Sequence, residues 1–307
     1  MPFDTVPTKQ PSAGSGRLLP DRYTQRDFFV ADILDAAPKD DIASMEHPLF
    51  ALKAGDRRIR RYEHNGQSIE VQPGAKGLAT IHDKDIWIYC ISQLVEAMNR
   101  GRNDTDRTIH FTAYDFLSAT NRGTSGRSYE RLSDTLERLA GSRIITNIKT
   151  NDIREKAGFG LIEAFRIIER SSSDNRMVAV SVVLPEWLYR SVKTKQVLTL
   201  SREYFRLRKP LDRRIYELAR KHCGAQPKWG ISLSLLRTKA GSTASLREFR
   251  RLVKELAESN SLPDYQMAFN HERDTMTFYA RGPKGAKARI GDLLTARGVS
   301  SAKGERG

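Results

Sequence analysis

Shifted by 120 residues, a long stretch of this chain lies over itself without a gap. Ile91, Val95 and Met98 fall on Leu211, Ile215 and Leu218. Phe111, Thr112 and Phe116 fall on Ile231, Ser232 and Leu236. Ser125, Tyr129, Arg131, Leu132 and Leu136 fall on Ser245, Phe249, Arg251, Leu252 and Leu256. These are matches of physical type at core and cap positions, not extended identity. One such match is cheap; helical segments keeping one register are not, and they predict an internal duplication.

The repeated unit can be read from its parts. A helix is predicted over Lys84–Asn99, with Gly101 past its end. A shorter one runs over Thr112–Thr120, with Thr112 as N-cap and Asp115 three residues on. After the turn "NRGTSGR" comes "SYERLSDTLERLAGSRI" (Ser128–Ile144), apolar at Tyr129, Leu132, Leu136 and Leu139. Two β-like runs follow, Arg143–Lys149 and Leu161–Glu169, around a polar loop, with Met177–Leu184 as a third strand. Helix, helix, turn, helix and hairpin is the order of a winged helix. Its third helix enters the major groove and its hairpin wing lies along the backbone. The second unit has "LDRRIYELARKHCG" (Leu211–Gly224), "ISLSLLRTKAG" (Ile231–Gly241), "SLREFRRLVKELAES" (Ser245–Ser259) and a hairpin over Tyr265–Arg281 turning at His271–Asp274.

The expected fold is therefore α+β: two tandem winged-helix domains related by duplication, with disordered basic tails. The boundaries read as a disordered arm over 1–25, an N-terminal winged helix with a preceding hairpin over 26–184, a connector over 185–209, a C-terminal winged helix over 210–281 and a basic, mostly flexible tail over 282–307 with a short helix predicted at Ala288–Ala296. The preceding hairpin is "RRIRRYEHNGQSIEVQP", where Asn65-Gly66 is a type I′ turn signal. Glu186–Val192 reads as a short helix in the connector, and Pro210 suits the first position of the helix after it.

Both third helices carry arginine away from the apolar stripe. At roughly 100° per residue, Arg127, Arg131 and Arg138 fall within about 40° of each other and roughly 150° from that stripe. Arg247, Arg250, Arg251 and Lys254 cluster likewise on the second helix. A single row of this kind is as readily a solvated face paired with Glu130, Asp134 and Glu137. Net charge bears on the choice: 52 Lys and Arg against 37 Asp and Glu give +15 and a pI near 9.9. That excess favours a polyanion, and double-stranded DNA is the expected partner. The candidate DNA-binding residues are Arg127, Arg131 and Arg138, the wing residues Lys149, Arg154 and Lys156, and Ser245, Arg247, Arg250, Arg251 and Lys254. Arg247, Arg250 and Arg251 are candidates for base or phosphate contact; Lys254, Arg127, Arg131 and the wing suit phosphate. Arg213 and Arg214 lie in an opening helix, which packs on the back of such a module, and are candidates for internal ion pairs.

Other classes find little support. No apolar run approaches the roughly 20 residues of a membrane span, and "MPFDTVPTKQPSAGSG" lacks the apolar core of a signal peptide. Cys90 and Cys223 are alone in apolar helical patterns, so reduced structural cysteines in a bacterial cytoplasmic protein are expected, with no metal and no cofactor. No Gly-x-x-x-x-Gly-Lys-Ser/Thr is present. The six histidines form no His-x-His pair of the kind that serves a strand-nicking enzyme, so Tyr189 and Tyr204 read as structural. Asp40-Asp41 reads as a turn with no site around it. "RKHCG" reads as helix-end chemistry: Gly224 at C′, and Arg220, Lys221 and His222 at the negative end of the dipole. No enzyme activity is expected.

Four segments, "RDFFVADILDAAPKDDIASMEHPLFAL", "GLATIHDKDIWIYCISQL", "RLAGSRIITNI" and "REYFRLRKPLDRRIYELARKHCG", resemble the plasmid replication initiator protein A family, over about residues 22–281. The tandem layout is similar to that of iteron-binding plasmid initiators generally. The resemblance implies binding to repeated origin sites, opening of adjacent AT-rich DNA and recruitment of the host initiator and replicative helicase. It also implies a homodimer inactive for initiation, and a second domain that reads the groove most strongly. A tandem winged-helix repressor, including one acting on its own gene, shares the fold and remains the alternative.

Overall fold

The computed structural model describes residues 18–20, 37–64, 67–102, 105–150, 153–169 and 177–304. Most of the 1–25 arm, the Asn65-Gly66 turn and the last three residues lie outside them. The chain opens with β1 (Lys39–Asp41) and α1 (Ile42–Glu46), followed by the hairpin β2 (Arg60–His64) and β3 (Gln67–Gln72). The first repeat then runs α2 (Asp85–Asn99), β4 (Thr108–Phe111), α3 (Ala113–Ala119) and α4 (Gly126–Gly141). Four strands follow: β5 (Arg143–Thr150), β6 (Ile153–Gly160), β7 (Ala164–Glu169) and β8 (Met177–Val183). After α5 (Glu186–Lys193) and β9 (Val197–Thr199) comes the second repeat, α6 (Pro210–His222), β10 (Lys228–Ser232), α7 (Leu233–Ala240) and α8 (Leu246–Ser259). The chain closes with β11 (Tyr265–Asn270), β12 (Thr275–Ala280) and α9 (Pro283–Gly304).

The duplication is present down to its caps. Thr112 and Ser232 sit at the N-caps of α3 and α7, accepting from the Asp115 and Leu235 amides. Ser125 and Ser245 are the N-caps of α4 and α8. Between each helix pair one residue takes a left-handed backbone, Asn121 at φ 55° and Gly241 at φ 67°, which turns the chain so the third helix can cross the second. Leu132, Leu136 and Leu139 of α4, and Phe249, Val253 and Leu256 of α8, are fully buried. Each such side chain contributes about 1.5–3 kcal/mol by leaving water. Two cores result, one around Trp87, Phe116 and Val182 and one around Tyr216, Leu236 and Phe278.

The wing of the first unit differs from expectation. Strand order β4-β8-β7 repeats β10-β12-β11, antiparallel throughout, so β7 and β8 are the counterpart of the second unit's wing. The expected wing loop around residues 150–160 is instead β6, which pairs with β5. That hairpin is an addition joined edge-on to β3, giving a separate sheet of order β2-β3-β5-β6. The 120-residue register holds through the third helices and is lost after them.

Two further segments are structured. The 185–209 connector is folded onto the first unit: β9 pairs antiparallel with β1, and Ser191 donates to Asp41. In the tail over 282–307 the helix is longer than the predicted Ala288–Ala296 segment: α9 spans Pro283–Gly304. Asp292 accepts from Lys228 and from the Tyr279 hydroxyl (2.8 Å), holding α9 on the second sheet. A Cβ at Gly285 would lie 1.9 Å from the Ala280 carbonyl oxygen, so only glycine permits that approach.

Asp40-Asp41, read from sequence as a turn, is a buried strand and the start of the seam between the units. Lys84 Nζ lies 2.6 Å from Asp40 and 3.1 Å from Glu217 of α6, all three side chains fully buried. Glu217 also accepts from Tyr204 (2.7 Å) and Arg214 (3.0 Å). Arg214 in turn donates to the carbonyls of Ser44, Met45 and Glu46, satisfying the last turn of α1 across the seam. Asp85 bridges Arg213 (2.6 Å) and Arg122 (2.8 Å). Glu46 takes Lys221, Lys239 and His222, and its carboxyl is held far below the usual carboxylate range, most strongly by His222. Met45 and Ile88 of the first unit are buried in the second core. Arg213 and Arg214 are thus internal ion-pair partners, as expected from their helix.

Lys84→Met leaves buried Asp40 without a cation and takes one of two cations from Glu217, and is expected to cost about 3–5 kcal/mol in urea unfolding; a cost under about 1 kcal/mol would show the seam to be dispensable. Burial pushes the Asp40 carboxyl from 3.8 up to about 7, opposed by Lys84 and reinforced by Glu217. The folded chain therefore holds this proton across a window in which the unfolded chain has released it. The group's contribution to stability is full below 3.8 and is lost as pH rises through about 7. Asp40→Asn is expected to gain stability relative to the parent as pH rises through that window, and a constant difference would contradict the assignment.

Candidate nucleic-acid interface

Each third helix starts from a serine N-cap and places an arginine two residues later, Arg127 on α4 and Arg247 on α8. Both are exposed, and neither has an ion-pair or hydrogen-bond partner among the described residues. They are equivalents in the 120-residue register. In DNA-reading helix-turn-helix proteins generally, this is the end of the recognition helix that meets base edges. Arg131 is likewise exposed without such a partner on the next turn of α4.

The other arginines are engaged within the chain. Arg138 is not on the open face: its Nε and Nη2 donate to the Asp83 carboxylate at 2.8 Å each, next to Thr135. Its side chain is 22% exposed and Asp83's 3%. It joins α4 to the start of α2, and the candidate DNA contact there becomes a structural one. Arg250 forms a two-point pair at 2.9 Å with Asp274 in the turn of β11 and β12. Arg251 lies between Glu248 and Glu255. These last pairs are solvent-exposed and weak, so a phosphate can compete for either arginine. Lys254 sits 4.7 Å from the Phe269 ring centroid and 3.4 Å from His271 Nδ1, at the turn end of the wing. Ser245 is occupied as a cap, its hydroxyl accepting from the Glu248 amide at 3.2 Å.

Lys149, Arg154 and Lys156 belong to the added hairpin. Lys149 pairs with Arg154 and Asn147 with Lys156 across β5 and β6; their side chains lie outside the described residues. The true wing turn of the first unit, residues 170–176, lies outside them too. In the second wing Arg273 is exposed, its amide bound to Asn270. It was missed from sequence because the turn "NHERDT" mixes both charge signs. Among the described residues no group of three or more His, Cys, Asp or Glu could hold a metal, and no helix is long and apolar enough to cross a membrane.

Two helix-turn-helix units, each closed by a three-stranded sheet of the same order, define a tandem winged-helix protein. The chain belongs to the replication initiator protein A family, whose model matches residues 39–267. Its role is that of a replication initiator. It is 45% identical over 258 residues to a Wigglesworthia glossinidia brevipalpis protein named "Putative replication protein", covering 83% of this chain and 94% of that one. Crystal structures of domains 2 and 3 of RctB are similar in fold, with TM-scores of 0.56 and 0.55 at 12% identity. They cover 78% and 80% of this chain and 96% and 99% of the RctB chains.

Arg138→Ala is expected to lose about 2 kcal/mol of stability, because it strips a charged hydrogen-bond partner from buried Asp83. Arg131→Ala should leave the urea midpoint unchanged, and equal effects would place Arg138 back on the open face.

Proposed function

We propose that this initiator binds repeated double-stranded sites at a plasmid origin with both third helices, in the bacterial cytoplasm, and promotes opening of adjoining AT-rich DNA. The observation that carries the reading is the matched pair Arg127 and Arg247: exposed, without partners among the described residues, and at the same place on two duplicated helices. Arginine at that place can pair bidentately with guanine or hold phosphate. Arg250 and Arg251 are a reserve of charge released from weak pairs on contact. In this reading it also recruits the host initiator and helicase and has a homodimeric resting form; the support for both is family likeness alone. The chain acts in this reading by binding and opening DNA, not by cutting it.

Footprinting on the parent plasmid tests this reading. Protection of several direct repeats beside AT-rich DNA, with hypersensitive positions in the AT-rich part, is the expected result. Protection of one inverted repeat over a promoter would make the protein a repressor instead. Arg247→Ala and Arg127→Ala are each expected to cost about 1–3 kcal/mol of specific binding, with Arg247→Ala exceeding Arg251→Ala. Nicks in supercoiled plasmid with Mg²⁺ or Mn²⁺ would overturn the non-enzymatic part.

A further inference from the structure

The run from Lys53 to Arg61 holds five basic residues, Lys53, Arg57, Arg58, Arg60 and Arg61, against one acid, Asp56. It leads into β2 and belongs to the first unit, yet it is pressed against the second. Arg60 is buried and donates to the Gly241 carbonyl at 3.1 Å and to Asp56 at 2.6 Å. Gly241 ends α7 in a left-handed conformation, and a Cβ there would stand 2.6 Å from Pro48 and 3.1 Å from the Tyr62 hydroxyl. Asp56 also accepts from Arg58 at 3.0 and 2.9 Å, which with Arg60 holds its carboxyl well below the usual range. The only acid of the run is thereby neutralised within the run itself, by buried Arg60 and exposed Arg58.

What remains outside is positive. Arg57 is exposed with no partner among the described residues, and so is Lys53. The Arg61 side chain is 74% exposed, paired only across the strand to Glu70 in what the described residues show. Gly241 lies four residues before Ser245, the N-cap of the helix that carries Arg247. In a helix-turn-helix the recognition helix meets base edges with its N-terminal residues, while backbone phosphates flank the groove it enters. The buried anchor through Arg60, Asp56 and Gly241 thus fixes this cationic run of the first unit against the turn that leads into α8.

We infer that Arg57 and Arg61 bind DNA backbone phosphates flanking the groove that α8 enters, so that the first unit completes the second unit's site. The inference rests on the DNA-binding reading above. Asp56, Arg58 and Arg60 position this surface and do not touch the ligand.

The test is the salt dependence of binding by the full chain, comparing the parent, R57A/R61A, and a charge control, R190A/K193A, on α5, which packs on α2 and β1. Origin duplex and unrelated duplex are titrated by fluorescence anisotropy. The expected result for R57A/R61A is a log–log salt slope shallower by about 2, with equal fold losses on both duplexes. Hydroxyl-radical protection should be lost only beside the α8 groove. The urea midpoint should not move, because both side chains are exposed. A parent that binds, with R57A/R61A unchanged or no worse than the control, overturns this inference alone. A parent that gives no protection on origin DNA overturns the DNA-binding reading, and this surface with it.

Discussion

The arrangement of the whole molecule depends on one buried cation. Lys84 stands at the start of α2 and faces Asp40 from the first unit and Glu217 from the second. Taking such charges out of water is costly, and the cost is offset only when every member is paired and bonded. The surroundings meet that condition: Tyr204 and Arg214 complete Glu217, and the Asp41 amide and Ser44 hydroxyl complete Asp40. Arg214 carries the network on to the end of α1. A purely apolar seam would hold the units together as firmly but would tolerate sliding. Directional pairs do not, so the two third helices are kept in one fixed relation.

That fixed relation gives the duplication its use. Two copies of one reading unit on a loose tether would search for their sites separately and lose affinity to the tether's freedom. Here the segment between them is folded onto the first unit through β9 and β1, and the first unit's basic edge is set against the second unit's helix-turn-helix. In the proposed function, the initiator is one reader with two helices.

The duplicated part of the fold was legible because its signals are local. Serine and threonine caps, leucine spacing and the left-handed turn are each written within a few residues, and both copies write them alike. The added hairpin was not. Residues 153–160, "IREKAGFG", contain two glycines and three charges, which read as loop; the β strand forms because β5 offers an edge already paired to β3. The true wing was mistaken for the same reason, since pairing of β8 with β4 is a contact between distant segments. Arginine rows could be read from periodicity, but not which arginines were free. Asp83 and Asp274, which hold Arg138 and Arg250, come from distant segments that no helical wheel contains. A short helix over Ala288–Ala296 was legible inside α9, but its full extent was obscured by the glycines of its sequence, one of which makes its docking possible.

The central claim is that one chain reads DNA with both units at once. Hydroxyl-radical footprinting of the wild-type chain on a duplex bearing a single repeat tests it most directly. One chain per duplex should protect two successive major-groove faces, about 34 Å apart along the axis. A single protected face, or two faces that appear only when two chains are bound, would contradict the account.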